Sequence, residues 1–313
     1  MIVSLCVSDL FSAIISPLSL HRRTLGYDDW MMPEFFCKVF WSFDNWTSIV
    51  TSFHILLFSG VRMFSISAPT YYQRMTLYHV KIMVCITWFI AFGSGFIPYW
   101  LWFGLKDEDR AEGIGSNWPD CTLKYQWLQS FKLYTKVAYG IFFYMPMIVV
   151  SIISPIIAKL ILKKRKERIQ RKNNEVSAAT GQNTLSDFER KHQRRENSAI
   201  LQLFVIVGSF MLGYVPSSAY FLYSLAVPQT TLAEEITHWN FGMISYILLR
   251  VSECVNPIFY NIASSKMRKE TILFFKSILL KCCPSRYSET IVSEVPTSAT
   301  GHTSRDGNQK IDL

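Results

Sequence analysis

Six apolar blocks decide what this chain can fold into. They lie at roughly 1–20, 37–66, 79–103, 136–162, 198–227 and 238–262. Each reaches the about 20 residues that a helix needs to cross a hydrocarbon core about 30 Å thick. A soluble protein of 313 residues would have to bury all six under very little remaining chain. Only 18% of the residues are charged, against roughly 25% in soluble domains. The blocks therefore read as membrane-spanning helices, and the fold class as an all-α membrane bundle. The net charge of +9 belongs to a membrane surface rather than to nucleic acid. Met1 opens directly into Ile2-Val3-Ser4-Leu5-Cys6-Val7. There is no basic start or small-residue cleavage site, so the segment reads as a span and not as a removable signal.

Loop charge orients the bundle. Segment 159–195 holds twelve basic residues, Lys159, Lys163, Lys164, Arg165, Lys166, Arg168, Arg171, Lys172, Arg190, Lys191, Arg194 and Arg195. Loops this rich in Lys and Arg stay cytoplasmic. Loop 228–237 carries Glu234 and Glu235 and no basic residue. Alternation places residue 1 inside, 21–36 outside, 67–78 inside, 104–135 outside and 263–313 inside. Cys37 and Cys121 then lie on the oxidising side. The cytoplasmic loop of about 163–195 has a polar centre, 173–187, that reads as flexible. Residues 265–281 place Met267, Thr271, Phe274, Phe275 and Ile278 on one helical face. That segment is too short to span and reads as an interfacial helix. Residues 1–283 form one transmembrane domain, and 284–313 read as a disordered cytoplasmic tail. Its end, Ile311-Asp312-Leu313, alternates as strand-adding tails do, a short and common pattern.

Ionisable residues within spans are costly and face a partner or a wet cavity. This chain has Asp9, Asp44, Arg250 and Glu253 there. In the second block Asp44, Ser48, Thr51, Ile55, Phe58 and Arg62 are spaced 4, 3, 4, 3, 4, which is one helix face. At about 1.5 Å per residue Asp44 sits about 10 Å below Cys37, and Arg62 at the inner rim. Asp44 is either a structural carboxylate or a counter-ion for a cationic ligand. The last block repeats the pattern with Tyr246, Arg250, Glu253, Pro257 and Tyr260 on one face. Pro257, Pro216 and Pro146 are expected kinks. His54 lies off the Asp44 face and reads as a packed histidine. Asn45-Trp46-Thr47 fits a glycosylation signal, but within a span. No metal-ligand cluster, phosphate-binding glycine loop or nucleophile–base set appears, so nothing reads as an enzyme.

An ordered set of motifs resembles the rhodopsin-like G protein-coupled receptors over about 1–283. Val7-Ser8-Asp9 resembles the second-helix motif. Trp30 precedes Cys37 by seven residues. Val61-Arg62-Met63 stands in the place of the Asp-Arg-Tyr motif. Trp88, Pro146 and Pro216 match single positions of the fourth, fifth and sixth helices. Asn256-Pro257-Ile258-Phe259-Tyr260 is an intact Asn-Pro-x-x-Tyr motif. The resemblance implies a bundle of the seven-helix type with six spans in this chain. The family's first helix is absent, which points to a fragmentary gene model, with a true six-span chain as the alternative. It implies a disulfide between Cys37 and Cys121 and palmitoylation of Cys282 and Cys283. It implies no cofactor beyond a sodium ion at Asp9, Thr51, Ser252, Glu253 and Asn256. Two carboxylates there would make ligand affinity respond to sodium or pH. The implied partners are a heterotrimeric G protein, an extracellular ligand and membrane lipids, at the plasma membrane.

The spacing of Asp44 from Cys37 and Arg62, with Arg62-Met63-Phe64-Ser65-Ile66, resembles the aminergic receptors. That implies a small biogenic amine bound by Asp44, Trp41, Ser48, Tyr214, Ser217, Ser218, Tyr246 and Arg250. Cation–π contacts from Trp41, Tyr214 and Tyr246 would assist. Coupling and switching would use Arg62, Glu196, Pro216, Asn256, Pro257 and Tyr260. Several positions depart from the family. Val61 replaces the acid beside Arg62, which leaves Glu196 as an inner-lock partner and raises the expected basal signalling. Tyr214 and Gly213 replace a tryptophan and a cysteine, and Ala138 and Phe142 offer no hydroxyl. Arg250 stands where amine receptors carry a tyrosine. It can pair with Asp44 and take the amine's place, or with Glu253 on its own helix. A peptide, lipid or acid ligand is the alternative. A six-span transporter or a non-signalling relative are further ones.

Overall fold

The computed structural model describes residues 1–25, 30–105, 120–176, 184–227, 231–263 and 265–282. These form α1 (Ile2–Thr24), α2 (Glu34–Ser67), a short α3 (Pro69–Arg74) and α4 (Leu77–Ala91). The third span continues from α4 through a π turn, Phe92–Phe96, into α5 (Ile97–Trp102). Strands β1 (Phe103–Gly104) and β2 (Thr122–Leu123) pair antiparallel, Phe103 against Leu123. The fourth span runs through α6 (Leu128–Tyr139), a π turn at Gly140–Tyr144 and α7 (Met145–Val176). Then follow α8 (Thr184–Ala226), α9 (Leu232–Ala263) and α10 (Ser265–Cys282).

Among the described residues five helical stretches are long and apolar enough to cross a membrane. The sixth expected span, α9, has the length, with 32 residues. It falls outside that measure, and it carries Glu234, Glu235, Arg250 and Glu253. It packs along α8 and α1 as a full member of the bundle. Large apolar side chains point away from the bundle, among them Phe89 at 78% exposure and Leu133 at 69%. Lipid tails give helices no hydrophobic reason to associate, so packing and interhelical hydrogen bonds hold such a bundle together. The packing centre joins Ile55 and Phe58 of α2, Val150 and Ile157 of α7, Phe210 and Tyr214 of α8, and Leu249 of α9.

Three expectations change in detail. Both π turns precede a proline by two residues, at Pro98 and Pro146. A proline ring clashes with the carbonyl four residues back, and a widened turn moves the backbone out of its way. Segment 173–187 is helical at both ends, through Val176 and from Thr184, so only 177–183 is left outside the described residues. α1 runs to Thr24, past the apolar block that ends near residue 20, and carries Arg22 and Arg23 with it. The interfacial segment is helical as expected, as α10. The tail from 283 onward lies outside the described residues.

His54 is buried, with Nδ1 2.8 Å from the Val50 carbonyl and Nε2 2.9 Å from Ser4 Oγ. Trp88 Nε1 donates to the same Ser4 oxygen at 2.8 Å. Asn45 Nδ2 donates to the Trp41 carbonyl inside α2.

Gly95 sits where the third span crosses α2. A Cβ there would lie 2.8 Å from the Trp46 Cα and 2.9 Å from its nitrogen. Both are backbone atoms that cannot rotate away. Gly95→Ala should lower the melting temperature of the purified chain by forcing the two helices apart, a cost of about 1–3 kcal/mol. Gly93→Ala, where nothing lies within 4 Å, is the matched control and should leave it nearly unchanged.

Candidate functional site

Four helices meet around Arg250. α1 turns a stripe of serines inward, since Ser8, Ser12, Ser16 and Ser19 follow at spacings of 4, 4 and 3. α2 brings Asp44, Ser48 and Thr51. α8 brings Ser209 and Tyr214. α9 brings Tyr246, Arg250, Ser252, Glu253 and Asn256.

The Arg250 guanidinium joins both of its candidate partners at once. Its Nη2 makes an ion pair with Asp44 Oδ1 across the bundle. Its Nη1 lies 2.7 Å from Glu253 Oε2, three residues along α9. The same Nη1 donates to Ser12 Oγ, and that hydroxyl donates to Glu253 Oε2. Arg250 and Glu253 are buried, and Asp44 is half-buried. The Tyr246 ring lies 4.8 Å from the guanidinium carbon. One cation therefore serves two carboxylates, and a planar fork of donors suits it to that role.

A second polar layer lies on the inner side. Asn256 Nδ2 donates to Asp9 Oδ2 at 3.3 Å. Ser209 Oγ is 3.0 Å from Asn256 Oδ1 and 2.8 Å from the Ser252 carbonyl. Thr51 Oγ1 is 3.1 Å from Ser8 Oγ. Asp9 Oδ1 is buried and has no hydrogen-bond partner among the described residues. An orphaned carboxylate oxygen among hydroxyls and an amide fits a small hard cation such as sodium. Glu253, the second carboxylate expected in that group, gives Oε2 to Arg250 and Ser12, and its buried Oε1 has no hydrogen-bond partner among the described residues.

The remaining expected residues divide by place. Tyr214 is buried, and its hydroxyl donates to the Ser48 carbonyl at 3.1 Å. Its ring packs between Phe143 and Phe210. Ser218 is buried, and its carbonyl accepts from the Tyr144 hydroxyl. Ser217 is half-buried one residue earlier, and Pro216 is enclosed in unbroken helix. Trp41 does not turn its ring edge to Asp44. Its Nε1 donates to the Cys121 carbonyl at 3.1 Å. Arg62 lies over the Phe58 ring at the inner end of α2. The side chains of Glu196, Pro257, Tyr260 and Cys282, and the whole of Cys283, lie outside the described residues.

At the outer end a disulfide joins Cys37 to Cys121. Arg22 Nε and Trp41 Nε1 both donate to the Cys121 carbonyl, at 3.0 and 3.1 Å. Cys121 has a φ of 47°, which a non-glycine residue rarely adopts. Two donors and a covalent link hold it there. Trp30 packs in the same cluster, beside Cys37 and Cys121.

Residues 1–260 match the family described as 7 transmembrane receptor (rhodopsin family). The chain belongs to that family. It is a G protein-coupled receptor, a multi-pass protein of the plasma-membrane kind, and not an enzyme. Relatives fall on both sides of the ligand question. Growth hormone secretagogue receptor type 1 of Mus musculus is 24% identical over 294 residues, covering 93% of this chain and 74% of its own. 5-Hydroxytryptamine receptor 2 of Aplysia californica is 23% identical, covering 85% and 65%. Trace amine-associated receptor 13c of Danio rerio is 25% identical, covering 86% and 73%. The receptor thus resembles proteins named for amines and a protein named for a secretagogue, all at 23–25% identity.

Ser12, Arg22 and Arg23 are not among the residues expected at the site. For Ser12 a signal does exist, in the serine stripe of α1. Arg22 and Arg23 lie beyond the apolar block, where the sequence reads as a loop.

Proposed function

We propose that this receptor answers an extracellular ligand other than a small amine, namely a peptide, lipid or acid, and activates a heterotrimeric G protein. One observation carries the reading. The Arg250 guanidinium already neutralises Asp44, the carboxylate that an ammonium ligand would need. A ligand amine would have to displace a tethered cation, and so lose in affinity what that pair is worth. In this reading the ligand acts on the outer residues Ser217, Ser218, Tyr246 and Trp41, its effect reaches Tyr214 further in, and Arg250 holds α1, α2 and α9 together beneath it. Arg62, with Glu196, Asn256, Pro257 and Tyr260, would form the inner switch that the G protein reads. Binding that favours one bundle arrangement shifts the population towards it. A sodium ion, where bound, would be held by Asp9 with Thr51, Ser252 and Asn256, and would supply positive charge to that layer. The basic ends of 159–172 and 190–195 would meet the G protein and acidic lipids.

The amine reading keeps two supports, the position of Asp44 on α2 and the two relatives named for amines. A panel of biogenic amines separates the two on the surface-expressed chain, read by G protein activation beside Asp44→Asn. The expected result is no amine response above basal activity in the wild type. An amine response in the wild type that Asp44→Asn abolishes at equal surface level would establish the amine reading instead.

A further inference from the structure

Arg250 is ion-paired with two carboxylates, and a second guanidinium faces the same ring. The Arg23 guanidinium carbon lies 5.0 Å from the centre of the Tyr246 ring, against 4.8 Å for Arg250. Arg23 is half-buried at the end of α1. The polar groups that act on it include Tyr220, Tyr246, Arg250 and Tyr139, three phenols and another cation. Among the described residues no carboxylate forms an ion pair with it. Its setting is fixed from both sides. Trp239 Nε1 donates to the Arg23 carbonyl at 3.3 Å, and the Tyr246 hydroxyl donates to the Ser16 carbonyl at 3.3 Å. Basic residues at a helix C-terminus favour the helix dipole, and His21, Arg22 and Arg23 all occupy that last turn. The dipole does not account for a guanidinium turned inward over Tyr246, near a second guanidinium that repels it.

We infer that Arg23, set over Tyr246 one turn outward of Arg250, binds a carboxylate of the receptor's ligand. This deepens the non-amine reading above and rests on it. A carboxylate matches the planar guanidinium fork with two parallel hydrogen bonds. It would also relieve the repulsion between Arg23 and Arg250. Arg22 is committed to the Cys121 carbonyl, and Arg250 to Asp44 and Glu253. That leaves Arg23 as the cation for this task among the described arginines of the outer half.

The carboxylate could belong to a free lipid-like acid or to a peptide, and two probe sets separate these. One is the straight-chain fatty acids from acetate to stearate. The other is a set of N-acetyl dipeptides with free C-termini. Each acid is paired with its primary amide. Binding is read as the thermal shift of the purified full chain, and response as G protein activation in membranes. An acid from one set should bind, with its amide about tenfold weaker or worse. Arg23→Gln should impose a similar loss on the acid and leave the amide unaffected. Arg23→Lys should keep part of the affinity, which also shows that the variants fold. Binding of no acid in either set would overturn the proposal. So would equal binding of acid and amide, or an acid affinity that Arg23→Gln leaves unchanged. An amine acting through Asp44 would instead sink the reading beneath it, and the amine panel detects that separately.

Discussion

Arg250→Met should destabilise this receptor more than any other single change at the site, by about 3–5 kcal/mol, the usual cost of stranding a buried charge without its partner. Methionine keeps the apolar stem of arginine, so the packing around that stem is largely retained. The loss is electrostatic. Asp44 and Glu253 would face each other and Asp9 in a region without bulk water. The melting temperature of the purified chain and the fraction reaching the cell surface should both fall. Asp44→Asn and Glu253→Gln should each cost far less, about 1 kcal/mol, because Arg250 keeps the other carboxylate and Ser12 remains in place. The triple variant, with Arg250→Met, Asp44→Asn and Glu253→Gln together, should recover much of the loss, since neutralising all three groups removes the stranded charges.

The second large effect belongs to the outer end. Cys37→Ala opens a link between residues 84 apart in sequence. Loop entropy alone gives about 4–5 kcal/mol for a closed loop of that length, and removal of native disulfides costs about 2–5 kcal/mol. Without the link, the φ of Cys121 is held only by the Arg22 and Trp41 hydrogen bonds. The antiparallel β1–β2 pair follows directly from Cys121, and Lys124 N donates to the Trp102 carbonyl just beyond it. The whole outer loop should loosen together. Expected results are a strong drop in surface expression and a lower melting temperature, reproduced in the wild type by a reducing agent. Trp41→Phe removes one of two donors to a carbonyl and should cost about 1 kcal/mol.

Much of the bundle is readable from periodicity, because side-chain direction on a helix follows from spacing alone. That is why Asp44, Ser48 and Thr51 share a face on α2, and Tyr246, Arg250 and Glu253 share one on α9. The pairing between those faces is a different matter. Spacing offers Arg250 a partner on its own helix, Glu253, and says nothing of the distance to Asp44. Only packed helices show that one guanidinium reaches both. Hydropathy also misplaces the ends of helices. Arg22 and Arg23 stop the apolar block near residue 20, yet α1 continues because Arg22 finds the Cys121 carbonyl and Arg23 finds the Tyr246 ring. α9 likewise starts at Leu232, six residues before its apolar block, where Thr231 N donates to the Glu234 carboxylate and Thr231 Oγ1 accepts from Glu234 N. The π turns leave no hydropathy signal, being local answers to a proline.

Arg250 holds Asp44 and so closes it to an amine; everything proposed about the ligand depends on that pair. A double-mutant cycle on the melting temperature of the purified chain tests it most directly, using Asp44→Asn, Arg250→Met and the two combined. A coupling energy well above about 0.5 kcal/mol, with Asp44→Asn milder on the Arg250→Met background than alone, is the predicted result. Additive effects within about 0.5 kcal/mol would mean the two groups do not interact. Asp44 would then stand open to a cationic ligand, and the non-amine reading would lose the observation that carries it.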